Sequence, residues 1–290
     1  MNKETKTLDE IYRPKGEAYS ERDYSHFTLS HHDDSGEHID TNRHYRMLNF
    51  MTPILGLFAG RASRWLTIGD ALAREAIFLK KQGVPHVTCS GLRISPEKKQ
   101  LIKEHVDDCR ELNAEKMEEI DADFILCKEA FHHFHRPLKG LYEMLDHARF
   151  GIVLIEPHET RYYSHGVWQF VEDSFLVDEV DPCDNYEVVG NYKYDLNVRE
   201  VCKAAWALFY PHVIVRGFND PTGDLYDDKS DVSSPLRYES YLQRCANLDK
   251  LGDSNQRPYN LVVCAILKEE LSTEDRGLLK DFRIIDRPCQ

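Results

Sequence analysis

The chain has 290 residues, of which 41% are hydrophobic and 30% charged, a composition that excludes a disordered or fibrous protein and suits one or two globular domains. Lys and Arg number 37 against 50 Asp and Glu, a net charge of −13, which argues against nucleic-acid and anionic-membrane partners because phosphate affinity is carried by basic side chains. No apolar run reaches the roughly 20 residues of a membrane span, and MNKETKTLDEIYRPKGE at the start lacks the apolar core of a secretory signal. The eight cysteines form no C-x-x-C, and Cys89, Cys127 and Cys264 sit in apolar runs where Cys behaves as a small buried hydrophobe. The expectation is a reducing cytoplasm, with neither a disulfide framework nor a zinc site.

In chain order, residues 1–40 read as a polar arm. Its cluster His31, His32, Asp33, Asp34, Glu37 and His38 contains metal-ligand types without the fixed spacing that holds an ion, so it reads as a solvated loop. Tyr19, Tyr24 and Phe27 give the arm apolar anchors with which it would order over a bound ligand. A helix is expected from about Asn42, capped by Asp40 or Thr41, with Tyr45, Leu48 and Met51 on one face, a restart at Pro53 and a stop at Gly60.

From residue 64 strands and helices alternate. RWLTIG is a strand, ALAREAIFLKKQG a helix ended by Gly83, and HVTCS a strand. SPEKKQLIKEHV is a helix with Ser95 as N-cap and Pro96 at its first position. A short strand is expected near Cys109–Leu112, then the strand ADFILCK, the helix PLKGLYEMLDHA with Leu138, Leu141, Tyr142 and Leu145 on one side, and the strand GIVLIEP. Continuously apolar strands alternating with helices predict an α/β, doubly wound, mostly parallel sheet covered on both faces. Residues 158–197, rich in aromatics, read as an insertion. The helix NVREVCKAAWALFY, the strand HVIVRGF, the helix RYESYLQRCANLDKLG with Gly252 as its stop, and the strand YNLVVCAILKEE complete the pattern. The organisation expected is an arm and covering helix over 1–60, then one domain over 61–290.

In such a sheet ligands lie beyond the carboxyl ends of the strands, where the strand order reverses. After the first strand, Gly69, Asp70 and Ala71 form a small-residue turn before a helix N-terminus. After the second, a carboxylate that holds ribose hydroxyls is absent and Ser90-Gly91 stands instead. Asn113, Ala114 and Glu115 follow the third. After the fourth come Lys128, Glu129, then His132, His133 and His135 before Pro137. A neutral histidine there suits a general base better than a metal ligand, because no separate acidic partner motif accompanies it. No serine-hydrolase elbow or P-loop occurs.

The stretch Trp65–Glu159, through LTIGDALAREAIFL and DFILCKEAFHHFHRPLKGLYEML followed by GIVLIEP, resembles class I S-adenosylmethionine-dependent methyltransferases, in particular the type 11 small-molecule group. The resemblance implies a seven-stranded Rossmann-like sheet and S-adenosyl-L-methionine as cofactor, across the strands that carry Gly69, Ser90, Asn113 and Lys128. Gly69, Asp70 and Ala71 would wrap the methionine moiety. Asn113, Ala114 and Glu115 would sit by the adenine, with Lys128 and Glu129 under the amino group and sulfonium, and His132 and His133 towards the acceptor. The acceptor would be a hydroxyl or amine of a small molecule, a sugar or glycan precursor among them, with His133 as base backed by His132 or Glu129.

Two departures stand out: the family's G-x-G is Gly69-Asp70-Ala71, and the ribose acid is missing. They leave a catalytically inactive binding protein on the same fold as the alternative. A nicotinamide-dependent oxidoreductase is less well matched, lacking both G-x-G-x-x-G and the ribose acid. Tyr192, Tyr194 and Arg199 lie between the fifth strand and the next helix, again on the ligand side, and are expected to contact the acceptor, Arg199 through an anionic group. A homodimer stays open.

Overall fold

The computed structural model describes residues 39–118, 120–158, 194–220, 235–256 and 258–288. The expectations on the arm over 1–38 and on Tyr192, with most of the 158–197 insertion, lie outside the described residues.

The chain begins with two short helices, α1 (Ile39–Asn49) and α2 (Thr52–Leu57). α1 starts at Ile39, so Asp40 and Thr41 lie inside it rather than capping it. Pro53 sits in the first turn of α2, where a missing N–H costs nothing. Met47, Leu48, Met51 and Ile54 are wholly buried, so the apolar stripe read from the sequence is the face laid on the sheet.

The alternating part follows as β1 (Arg64–Ile68), α3 (Arg74–Lys81), β2 (His86–Gly91), α4 (Pro96–Ile102), β3 (Asp108–Glu111) and β4 (Ala122–Lys128). A single 3₁₀ turn (Phe131–His133) leads to α5 (Pro137–His147) and β5 (Ala148–Pro157). Ser95 caps α4 by accepting from Lys98 N–H. The remainder is α6 (Val198–Ala207), β6 (His212–Phe218), α7 (Pro235–Asp253), β7 (Leu261–Leu267), α8 (Thr273–Leu278) and β8 (Arg283–Asp286).

Among the described residues, the strands join one sheet in the order β3-β2-β1-β4-β5-β7-β6-β8. β1 pairs in parallel with β2 and β4, β2 with β3, and β4 with β5. β7 enters antiparallel between β5 and β6, and β8 runs antiparallel along the outer edge of β6. This is the doubly wound, mostly parallel sheet expected, with β8 as one strand beyond the seven. β4 and β7 are buried at every position, as strands covered on both faces must be. Alternate side chains feed two cores. One holds Trp65, Phe124 and Val153 under α1 to α4 and α8; the other holds Leu66, Ile125 and Ile152 under α5 and α6.

Two local expectations differ. Leu138 and Tyr142 are exposed, because α5 buries Gly140, Leu141, Met144 and Leu145, a stripe rotated by about one position. Gly252 does not stop α7, which runs to Asp253; Gly252 and Gly217 instead leave room for the Tyr259 ring, which a Cβ at either would strike.

Candidate functional site

The strand order reverses between β1 and β4. At that point, across the carboxyl ends of β1, β2 and β4 and the residues after β3, lies a cavity of about 300 Å³, at the lower end of ligand-pocket sizes. Ile68, Gly69, Asp70, Ala71 and Leu72 form its floor, and Gly91, Leu92 and Arg93 one rim. Leu112, Asn113 and Ala114 form one end; His44, Glu75, Lys128, Glu129 and His133 form the other.

The floor is shaped by local hydrogen bonds. Gly69 has φ +74°, and a Cβ there would overlap the Ala130 methyl. Gly69→Val therefore disturbs the turn itself and is no clean probe of binding. Asp70 looks inward: its carboxylate accepts from Ala76 N–H at 2.8 Å and Thr67 Oγ1 at 3.0 Å, while its N–H donates to Ser90 O at 2.8 Å. Ser90 donates its hydroxyl to Thr67 O at 2.6 Å. Asp70 and Ser90 thus brace the turn from behind. A second residue of the loop with positive φ is Ala73, at +56°, a conformation that costs a non-glycine roughly 1–2 kcal/mol, and α3 begins one residue later.

The charged end is a continuous cluster. Lys128 Nζ, on a side chain only 1% exposed, lies 3.2 Å from Glu75 and 2.7 Å from Glu129. It also lies 2.5 Å from His44 Nδ1; an ammonium only donates, so the ring accepts there and carries its proton on Nε2. Arg43 extends the cluster to Glu129 at 3.3 Å and to buried Asp220 at 2.5 Å, tying α1 to the ends of β4 and β6.

Burial opposes each charge, and the neighbours decide the outcome. For Lys128 the two carboxylates prevail and its pKa rises. For Glu75, burial pushes the carboxyl up, but Lys128 and the hydrogen bond to Asp70 together bring it down to about 2. Lys128 and Arg43 likewise hold Glu129 well below the usual carboxylate range against the opposing effect of burial. Asp70 goes the other way, pushed up by burial and by Glu75 beside it. Glu129 is thus firmly ionised and a poor proton acceptor at neutral pH.

The second feature is the turn after β4. Glu129 has φ +48°, and the 3₁₀ turn carries His132 and His133 with ring centroids 3.9 Å apart. His133 is on the cavity wall. His132 is not among the wall residues; its Nδ1 lies 2.6 Å from Glu156 Oε2, and although burial opposes its charge, Glu156 raises its pKa. Glu115 is also off the wall: wholly buried, it accepts from Arg136 N–H at 2.8 Å and Arg136 Nε at 3.0 Å. Asn113 accepts from Glu115 N–H at 2.9 Å and so orders the end of the cavity.

Of the residues expected from the sequence, Gly69, Asp70, Ala71, Asn113, Ala114, Lys128, Glu129 and His133 meet at the cavity. Ser90, Glu115 and His132 stand one layer behind it. Tyr194 and Arg199 are exposed and off the wall, although Tyr194 N–H donates to His132 O at 2.9 Å. Sequence reasoning missed His44, Glu75 and Arg93. Glu75 carried one signal, a lone acid in the first turn of α3. Among the described residues, no three His, Cys, Asp or Glu are placed to hold a metal ion, six cysteines are free, and no helix is long and apolar enough to cross a membrane.

No protein-family model and no curated protein matches the chain. Among solved structures it is similar to magnesium protoporphyrin IX methyltransferase from Synechocystis PCC 6803 with bound SAM. The identity is 9%, over 91% of this chain and 100% of that one, with TM-score 0.48. A putative sarcosine dimethylglycine methyltransferase from Galdieria sulphuraria matches at 13% identity over 77% and 85%, with TM-score 0.46. The plantazolicin methyltransferase BpumL in complex with SAH matches at 13% over 87% and 92%, with TM-score 0.45. At these identities and scores the likeness reaches no further than the fold.

Proposed function

We propose that the protein is an S-adenosylmethionine-dependent methyltransferase acting on a hydroxyl or amine of a small molecule. The observation that carries this reading is the composition of the cavity: uncharged where Leu112, Asn113 and Ala114 line it, and charged with both signs where Arg74, Glu75, Lys128 and Glu129 do. An adenosine joined to an amino acid needs that polarity. A flat, uncharged base meets backbone and Asn113 at one end. At the other, an α-ammonium finds the carboxylates of Glu75 and Glu129, and an α-carboxylate lies beside Lys128. A pyrophosphate would meet Glu75 and Glu129 with no glycine-rich cradle, which disfavours a dinucleotide.

The bound cofactor supplies a methyl group already activated on a sulfonium, so the chain's own task is alignment and proton removal. Asn113 and Ala114 would face the adenine, Gly69 to Ala71 the methionine chain, and His133 the acceptor proton. Tyr192, Tyr194 and Arg199 are proposed for the acceptor side, since the Tyr194 backbone is bonded to the histidine turn. The sugar or glycan class of acceptor rests on the sequence resemblance. At the ribose edge, Arg93 stands on the rim where a carboxylate would grip the diol, so the ribose is held without that contact.

Equilibrium titration with S-adenosylhomocysteine, in parallel with NADH, tests the reading. One equivalent of S-adenosylhomocysteine should bind and NADH should not. Ala71→Trp, which fills the floor from a half-buried position, should weaken binding by at least about 30-fold, roughly 2 kcal/mol, with the circular dichroism and Tm of a folded protein. NADH binding, or S-adenosylhomocysteine affinity unchanged by Ala71→Trp, would count against it.

A further inference from the structure

One buried acid is not used by the reading above. Glu156 closes β5, a strand otherwise apolar over its central run, and is wholly buried. A carboxylate there is costly unless every lone pair is engaged, and the engagement is specific. Oε1 accepts from the N–H groups of Ala130 and Phe131, each at 2.9 Å, with the Cys127 thiol directed at the same oxygen at 3.8 Å. Oε2 takes His132 Nδ1 at 2.6 Å. One carboxylate therefore caps the 3₁₀ turn and orients the ring of its second residue. That ring lies against His133, centroids 3.9 Å apart at 44°, and His133 is the histidine on the cavity wall.

We infer that Glu156 is the positioning residue of the acceptor side: through the turn and the His132 ring it fixes the His133 imidazole where an acceptor proton would be taken. The inference rests on the methyl-transfer reading of the cavity. The groups facing His132 are Glu156 from β5, Glu129 from the end of β4, Asp195 ahead of α6, and His133 itself. The three acids all favour the imidazolium, so Nδ1–H donates to Glu156. His132 is thereby held with its ring against His133, close enough that a change of charge on one is felt by the other.

Glu156→Gln separates this role from simple capping. The amide oxygen still accepts from Ala130 and Phe131, so the turn keeps its cap, but the amide nitrogen can only donate to His132. The measurement is a pH titration of the imidazole resonances in protein labelled with ¹⁵N-histidine, assigned with His132→Gln and His133→Gln. In the unsubstituted protein, the His133 resonances should show an inflection at the His132 midpoint. In Glu156→Gln, the His132 midpoint should fall by one unit or more and the His133 curve should move with it. A His133 curve with no inflection at the His132 midpoint overturns the inference even where Glu156→Gln fails to fold. So does a His132 midpoint that falls while His133 stays fixed, which would leave Glu156 as a cap alone. Calorimetry with S-adenosylhomocysteine on the same samples keeps the two ideas apart. Coupled rings in a protein that binds none of it would refute the cofactor reading, whereas binding without coupling would refute only the role of Glu156.

Discussion

Lys128→Met is expected to destabilise the protein by about 3–5 kcal/mol at neutral pH and to abolish S-adenosylhomocysteine binding. The stem keeps its length and most of its packing, while the ammonium and its bonds to Glu75, Glu129 and His44 are lost. What remains is Glu75 and Glu129, both now without the ammonium that lies 3.2 and 2.7 Å from them. Denaturant unfolding measures the effect, and its pH dependence identifies the cause.

In the unsubstituted protein, Glu75 is held at about 2 against an ordinary 4.5: burial pushes it up, and Lys128 together with the hydrogen bond to Asp70 more than offsets that. Its contribution is therefore complete above about pH 4.5 and disappears as the pH falls towards 2. In Lys128→Met, the burial of Glu75 is no longer offset by the ammonium and its folded pKa rises above the unfolded one, while Arg43 still pairs with Glu129. Stability then falls as pH rises through that value, so the gap between variant and parent should narrow from pH 7 to pH 5. A variant within about 1 kcal/mol of the parent at pH 7, or a gap that does not change with pH, would mean the cluster is open to solvent.

His133→Asn should lower methyl transfer by roughly 10²–10⁴-fold, the range of a general base, while S-adenosylhomocysteine affinity stays within about threefold. The split follows from the geometry: the ring stands on the wall, outside the Glu75–Lys128–Glu129 cluster. Transfer of label from S-[methyl-³H]adenosylmethionine to a panel of small hydroxyl and amine acceptors provides the rate. An equal loss of rate and cofactor affinity would make His133 a cofactor contact instead of a base. Glu129 is a poor substitute, since Lys128 and Arg43 keep its pKa low against the opposing effect of burial.

The sheet was readable because its strands are continuous apolar runs between clear stops: RWLTI and ADFILCK appear within a residue of expectation, and LVVCAIL as the core of the longer strand expected over YNLVVCAILKEE. β8 was not readable. RIID has four residues, half-exposed or exposed, and its place depends on pairing with β6, to which nothing local points. The end of α7 was misjudged because Gly252 reads as a stop when only the sequence is seen. In the fold its missing side chain makes room for Tyr259, a packing reason with no local signature.

The site was readable where it follows the strands. Gly69 to Ala71, Asn113, Lys128 and Glu129 were found because the ends of parallel strands converge by topology alone. What the sequence hides is which of these face inward. Asp70 and Glu115 look like ligand contacts by position, yet each spends its carboxylate on backbone N–H groups of its own loop or the next. His44 and Arg43 were missed for the opposite reason. They sit on a helix whose apolar face announces packing, and their polar face reaches Lys128 and Glu129 some 85 positions on, a contact only the tertiary fold creates.

A crystal structure of the protein grown with S-adenosylhomocysteine tests the central claim most directly. The account predicts the adenine against Asn113 and Ala114, the amino-acid end among Glu75, Lys128, Glu129 and His44, the sulfur directed to the His133 side, and Arg93 on the ribose edge. A ligand bound with its adenine in the charged cluster, or outside the cavity between β1 and β4, would contradict it.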